Sequence, residues 1–299
     1  MAFDGITVAA LVQELRDSLT GGRIAKIAQP EPDELLLTIK TPAGQRKLYI
    51  SASASLPLIY LTDENKPSPM TAPNFCMLLR KHIGNGRITS ISQPKLERII
   101  SLHIEHLNEL GDLCEKKLII EIMGKHSNII FCDDKDMILD SIKHVSAQMS
   151  SVREVLPGRT YFIPDTMEKS DPLSVDVSSF MEILRLKPVP LGKAIYTTFT
   201  GISPVIAEDI CFLAGLNSQL PASVLDEDTF LHLFRQFSYY MDDIRCCRFH
   251  PCIYYDGTSP KDFGAVALSH FSNYTKQEFT SISEVLNTYY ATKNTLTRI

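Results

Sequence analysis

The feature that most constrains this chain is an ungapped internal repeat. Gly22-Arg23-Ile24-Ala25-Lys26-Ile27-Ala28-Gln29-Pro30 returns 64 residues later as Gly86-Arg87-Ile88-Thr89-Ser90-Ile91-Ser92-Gln93-Pro94, with six of nine positions identical. Each copy follows a stretch with helical apolar spacing and precedes one with strand-like alternation, so the repeated unit is a whole helix-turn-strand block. In the first copy, Val8, Leu11, Val12, Leu15 and Leu19 share a helix face that Gly21-Gly22 terminates. Strands are then expected at 24–29, 34–40, 47–51 and 56–61, followed by a Pro- and Ser-rich loop at 63–72. In the second copy a helix runs from Pro73, suited to a first turn, to Ile83, and Gly84 and Gly86 end it. Strands follow at 88–93, 98–106, 117–123, 128–132 and 137–144, and a turn-rich passage around Pro157-Gly158-Arg159 closes the β-rich half.

Beyond Ser170-Asp171-Pro172 the pattern changes. Helices are expected at 177–186, 191–199, 204–214 and 226–243. A hairpin of strands 252–255 and 264–268 turns around Asp256-Gly257-Thr258-Ser259. A last helix, 282–299, is still on pattern at Arg298-Ile299, as though it continued in a longer protein. At 299 residues the chain divides into two domains on this reading, 1–172 and 173–299. The fold class is α+β: a β-rich domain with a duplicated helix–hairpin unit, then a mainly helical domain with a hairpin.

The net charge of −5 excludes a bulk basic surface, so a polyanionic partner would have to meet local basic clusters. Seven cysteines, mostly in apolar surroundings, fit a reduced chain that uses thiols as small hydrophobes. Cys246, Cys247 and Cys252 cluster without the two-residue spacing of a zinc site, and no metal is expected. Asp4 and Glu14 interrupt the first segment, which argues against a secretory signal. No apolar run approaches the roughly 18 residues that would span a bilayer, so a cytoplasmic protein without membrane association is expected.

Three places could carry chemistry. Where the repeats diverge after Gln-Pro, the first copy has Asp33-Glu34 and the second Glu97-Arg98. A carboxylate beside a guanidinium at a strand start can hold a phosphate and orient a donor; it can equally be an exposed ion pair of little energetic weight. The segment Glu121-Ile122-Met123-Gly124-Lys125-His126-Ser127-Asn128 runs a strand into a polar tip, either a phosphate- or ribose-holding loop or a turn that meets water. Phe199-Thr200-Gly201-Ile202-Ser203-Pro204 resembles a helix-hairpin-helix turn, in which Gly201 and Ser203 would present backbone N–H groups to a phosphate. Val205, Glu208 and Asp209 depart from good nucleic-acid-binding copies, and a packing role fits as well. Arg80-Lys81-His82, Arg87, Lys143-His144, Arg153 and Arg159 add scattered cations, of which Arg80 and Lys81 are candidate phosphate ligands.

Together these residues resemble the N-terminal half of the NFACT family. The resemblance is carried by Met1-Ala2-Phe3-Asp4-Gly5, Phe75 to His82, Glu121 to Asn128, Asp140-Ser141-Ile142-Lys143-His144, Leu156-Pro157-Gly158 and Lys261-Asp262-Phe263. It comprises bacterial RqcH proteins and eukaryotic ribosome quality-control relatives, often labelled fibronectin-binding A proteins in bacteria. It implies a first domain similar to that of formamidopyrimidine-type DNA glycosylases, followed by a helix-hairpin-helix domain. It further implies a monomeric, cofactor-free factor that binds the large ribosomal subunit with its nascent peptidyl-tRNA and recruits alanyl-tRNA for untemplated alanine tailing. The family's tRNA-recruiting Asp-Arg pair falls on Glu97-Arg98, a glutamate replacing the aspartate. Asp4 and the run Glu121, Ile122, Met123, Gly124 and Lys125 match further tRNA-contacting positions. No catalytic constellation is evident. The glycosylase alternative lacks the N-terminal proline nucleophile and adjacent glutamate, and an adhesin would need export signals that the sequence does not show.

Overall fold

The computed structural model describes residues 3–164 and 169–296, with side chains to 293. The chain forms two compact units that interleave in sequence: Val12–Gln93 with Arg98–Thr166, and Met1–Leu11 with Pro94–Glu97 and Met167–Ile299.

In the first of these units the repeat becomes a nearly two-fold sheet. Helix α1 (Gly5–Leu19), whose C-terminal part belongs here, leads into β1 (Arg23–Ala28), β2 (Glu34–Thr41), β3 (Gly44–Ser51) and β4 (Leu58–Thr62). Helix α2 (Asn74–Ile83) leads into β5 (Arg87–Ser92), β6 (Ile99–Leu107), β7 (Leu113–Glu121), β8 (Asn128–Asp133) and β9 (Ile138–Ser141). The nine strands lie in the order β4-β3-β2-β1-β5-β6-β7-β8-β9, each pair antiparallel. The two copies therefore fan out from the β1–β5 junction.

The equivalence extends to single hydrogen bonds. Ile24 N donates to Gly86 O at 2.8 Å, and Ile88 N to Gly22 O at 2.9 Å. Both strands bulge at the same place, Ala25 and Thr89. A Cβ on Gly22 would lie 2.7 Å from Ile39, and one on Gly86 would lie 2.8 Å from Ile104, so both glycines are required by close strand approach. Each helix also reaches across to the other copy. Arg16 of α1 donates through Nε to Ile91 O (2.7 Å), and Arg80 of α2 to Ile27 O (2.8 Å).

The nine strands lie where the sequence places them, with ends shifted by up to four residues. Pro73 caps α2 instead of opening its first turn, and β6 begins at Ile99, leaving Arg98 in a bend. After β9 the chain doubles back along the sheet edge. Val145 and Val155 bridge, Gly158 N donates to Ile138 O (2.8 Å), and Ile138 N donates to Arg159 O (2.8 Å). This strap covers a cluster of Ile99, Ile119, Ile130, Cys132, Ile138 and Val155, against which Met123 and Tyr161 also pack.

The second unit holds α3 (Val177–Arg185), α4 (Leu191–Thr198), α5 (Pro204–Leu213), α6 (Glu227–Arg245) and α7 (Ile282–Leu296), with a sheet of β10 (Cys252–Asp256), β11 (Ser259–Gly264) and β12 (Thr275–Glu278) in the order β11-β10-β12. Asp176 and Asp226 cap α3 and α6 by accepting from Ser179 N and Thr229 N. Phe180, Phe199 and Phe237 form the core of α3, α4 and α6, with ring centroids 4.9–5.6 Å apart. The distal hairpin differs from expectation. Strand β10 (Cys252–Asp256) pairs with β11 at Ser259–Gly264, not 264–268, and with a third strand, β12 (Thr275–Glu278). Pro260, Lys261 and Asp262 disguised β11 as a turn, and β12 reads as polar and wholly exposed. The expected end of the last helix at Arg298-Ile299 lies outside the described residues.

Candidate nucleic-acid interface

Strand β7 ends in an unbroken apolar run, Leu118-Ile119-Ile120, followed by Glu121, whose side chain has no solvent exposure. A carboxylate there must be neutralised and hydrogen-bonded. The strap supplies both. Arg153 Nη2 is ion-paired to Glu121 Oε1, and Tyr161 Oη donates to Glu121 Oε2 at 2.8 Å. Arg153 Nη1 donates to Phe162 O (2.7 Å), and its guanidinium lies 5.5 Å from the Tyr161 ring centroid. Burial alone would lower the Arg153 pKa, but the facing carboxylate overrides it and holds the pKa above its ordinary value. Burial, and then Glu121, push the Tyr161 phenol upward.

Beyond Glu121 the polar tip folds back on itself. Gly124 takes φ +56° at the start of a single 3-10 turn, Gly124–His126. Ser127 Oγ donates to Gly124 O (2.7 Å) and accepts from Met123 N (2.8 Å). Asn128 is spent on the backbone of Lys143, bonding its carbonyl at 3.0 Å and its N–H at 3.1 Å. Lys125 and His126 are what remains exposed.

Arg98 belongs to the same end of the sheet. Its carbonyl accepts from Ile122 N at 2.9 Å, and its residue is exposed. Arg98, Lys125 and His126 therefore lie exposed at one end of the sheet, a rim that carries the cations Arg98 and Lys125, and the Glu121–Arg153–Tyr161 network lies inside the fold at the same end. The equivalent position in the first copy has the opposite character: Glu34 is buried, accepting from Tyr49 Oη (2.7 Å) and paired with Lys66 Nζ (3.0 Å).

Of the residues singled out from sequence, Arg98 and Lys125 face solvent. Glu121 and Ile122 do not; both are buried, and Met123 is half-buried. The Glu121 carboxylate is taken up inside the fold by Arg153 and Tyr161, and Ile122 is packed beneath the tip. Arg153 and Tyr161 were missed as partners. The available signal was Glu121 itself, a charge in an apolar strand that demands a counter-ion. Arg80 likewise commits Nε to the scaffold, and Lys81 lies 3.8 Å from Glu109.

In the other unit the predicted helix-hairpin-helix turn faces inward. Asp4 Oδ1 accepts from Ile6 N (3.0 Å) and Thr7 N (2.9 Å), capping α1, while Ser203 Oγ donates to Asp4 Oδ2 at 2.6 Å. Burial pushes the Asp4 carboxyl up to about 6, against the lowering effect of these donors. Gly201, at φ +80°, accepts from Gly5 N (3.0 Å). A Cβ on Gly201 would stand 2.1 Å from Leu96 O, and one on Gly5 would stand 1.9 Å from it. The turn at Gly201 and Ser203 thus packs against the Leu96 turn, with Ser203 bonded to Asp4, and Asp4 is a buried cap. Glu97, half-buried, closes that turn by donating N–H to Pro94 O at 3.0 Å.

Fold and site define an α+β protein built on a duplicated antiparallel sheet that presents a cationic strand-end rim. The chain belongs to the NFACT family: the family model described as NFACT N-terminal and middle domains matches residues 4–299. A curated relative, "Rqc2 homolog RqcH" of Bacillus subtilis, is 39% identical over 228 residues, 75% of this chain and 40% of its own. "Ribosome quality control complex subunit 2" of Saccharomyces cerevisiae is 32% identical over 92 residues, 31% of this chain and 9% of its own. The solved N-terminal part of the fibronectin/fibrinogen-binding protein from Streptococcus suis superposes with a TM-score of 0.78 at 30% identity, covering 97% of this chain and 99% of that one. The chain spans less than half the length of these curated relatives. Among the described residues no helix is long and apolar enough to cross a membrane.

Proposed function

We propose that this chain is the N-terminal and middle part of a ribosome quality-control factor, and that the Arg98–Lys125 rim receives tRNA. The factor would act at the large ribosomal subunit carrying an obstructed peptidyl-tRNA and deliver alanyl-tRNA for untemplated alanine tailing. The observation that carries the reading is the juxtaposition at the rim. The Arg98 carbonyl is bonded to Ile122 N, one turn from Lys125, so two exposed cations from separate motifs meet at one strand end. Cations in such a place attract phosphate, and in this reading the buried Glu121–Arg153 pair anchors the end of the strand that leads to them. Glu97 is covalently next to Arg98 and is the family-matched partner of the pair. In this reading the chain performs no bond chemistry and the ribosome forms the peptide bond.

The test is recovery of tRNA with large subunits pulled down on the tagged protein. Glu97→Ala with Arg98→Ala should reduce the tRNA to background, and Lys125→Ala should lower it severalfold, with thermal stability unchanged. Full tRNA recovery by the Glu97/Arg98 variant would refute the site. Binding of the wild type to immobilised fibronectin, but not to ribosomal subunits, would favour an adhesive role.

A further inference from the structure

The outer face of the sheet at the β1–β5 junction carries a feature that the rim does not explain. Arg23 of β1 stands directly opposite Arg87 of β5 and directly opposite Lys40 of β2. Three cations therefore occupy one ladder row across three adjacent strands, each about 5 Å from the next. The flanking bonds, Ile24 N to Gly86 O and Ile88 N to Gly22 O, make Arg23–Arg87 a pair without hydrogen bonds of its own. Side chains lie closest in pairs of that kind. Lys26, opposite Thr38, lies on the same face in the next row. All four are exposed, and among the described residues none of the four side chains has a hydrogen-bond or ion-pair partner. Glu105, half-buried opposite Arg87 on β6, bounds the row on one side.

Like charges directly opposite one another destabilise a sheet. Two such contacts side by side, in a chain of net charge −5, are a local arrangement that stability alone disfavours. Lys26 also edges a cleft of about 270 Å³ at the β1 bulge, with Arg80 and Asn85 on its walls. The cations thus continue from a flat row into a concave end, a shape that fits a flexible strand of regularly spaced negative charge.

We propose that this face is an RNA-docking surface that follows a phosphodiester backbone without reading its sequence. It shares no residue with the rim, so it stands or falls separately from the tRNA reading.

The experiment is a fluorescence-anisotropy titration of the chain with two labelled probes, an unmodified tRNA transcript and a 20-nucleotide oligouridylate, across a series of potassium chloride concentrations. Arg23→Gln, Lys26→Gln, Lys40→Gln and Arg87→Gln are combined in one variant. The four side chains are exposed, so the fold should survive; melting temperature and circular dichroism verify that it does. Affinity for both probes should fall about tenfold or more at low salt. The slope of log K against log salt should flatten by about three for four lost contacts to a single strand. Arg98→Ala should instead weaken the tRNA probe and leave oligouridylate unchanged. Unchanged affinity and slope in the fourfold variant would overturn the proposal while leaving the rim intact. Competition by polyglutamate as effective, charge for charge, as by oligouridylate would overturn it too, since the face would then recognise any polyanion.

Discussion

Removing Arg153 tests whether the rim is held from below. In Arg153→Met the Glu121 carboxylate, without solvent exposure, retains Tyr161 Oη as its hydrogen-bond donor and loses its counter-charge. Breaking a buried ion pair from one side costs about 3–5 kcal/mol, because the surviving charge remains desolvated. In a cooperative unit of this size each kcal/mol lowers the melting temperature by roughly 2–4 °C, so a fall on the order of 6–20 °C is expected. Glu121→Leu alone should cost a similar amount, since it buries an unpaired guanidinium. The double variant, Glu121→Leu with Arg153→Met, should recover much of the loss, because a packed apolar pair removes both desolvation penalties. Urea denaturation of the four proteins gives the cycle, and a coupling of about 2 kcal/mol or more is expected. A single-variant shift below a few degrees would refute the reasoning, and so would additive losses in the double. The tRNA affinity of Arg153→Met below its melting range should fall alongside that of Lys125→Ala, since the rim loses its support.

Two further outcomes follow from the scaffold. Folded Asp4 holds its proton to about pH 6, whereas its ordinary value is 3.8. Its contribution to stability is therefore full at low pH and lost as pH rises through 6. Between pH 4.5 and 7.5 the loss amounts to about 2 kcal/mol. Asp4→Asn keeps a capping oxygen and should abolish that slope; parallel pH dependences of the urea midpoint in wild type and variant would contradict it. Arg16→Gln and Arg80→Gln remove equivalent bonds from the two copies, and each should cost about 1.5–3 kcal/mol. Losses in urea melts that differ severalfold would show that the copies are not equivalent in energy as they are in geometry.

Much of the sheet was legible in the sequence because its two signals are local. Ile99, Ile100, Leu102 and Ile104 carry buried positions of β6 with alternation from Ile100 on, Leu37 and Ile39 share one face of β2, and Gly22 and Gly86 mark tight entries. The duplication also placed α2 and β5 by analogy with α1 and β1. What sequence could not show was where side chains end up when distant segments meet. Glu121 and Asp4 matched tRNA-contacting positions, yet one is neutralised by a residue 32 positions away and the other bonds a hydroxyl 199 positions away. Gly201 carried the mark of a phosphate turn, and only the approach of Leu96 O shows what its missing Cβ makes room for. Strand β12, Thr275–Glu278, has no apolar alternation to betray it, since all four residues are exposed.

The exchange of arginines between α1 and α2 has a consequence for how such a chain could have arisen. Each copy completes the other: the helix of one caps a carbonyl of the other's first strand, and the two first strands close each other's edges. The sheet is in effect a homodimer written into one polypeptide. A peptide bearing a single copy would leave β1 as an open edge and one carbonyl without its guanidinium, and two such peptides would satisfy each other through the same isologous contact. Fusion into one chain freed the copies from identity, so that position 34 could become a buried acid while position 98 became an exposed cation.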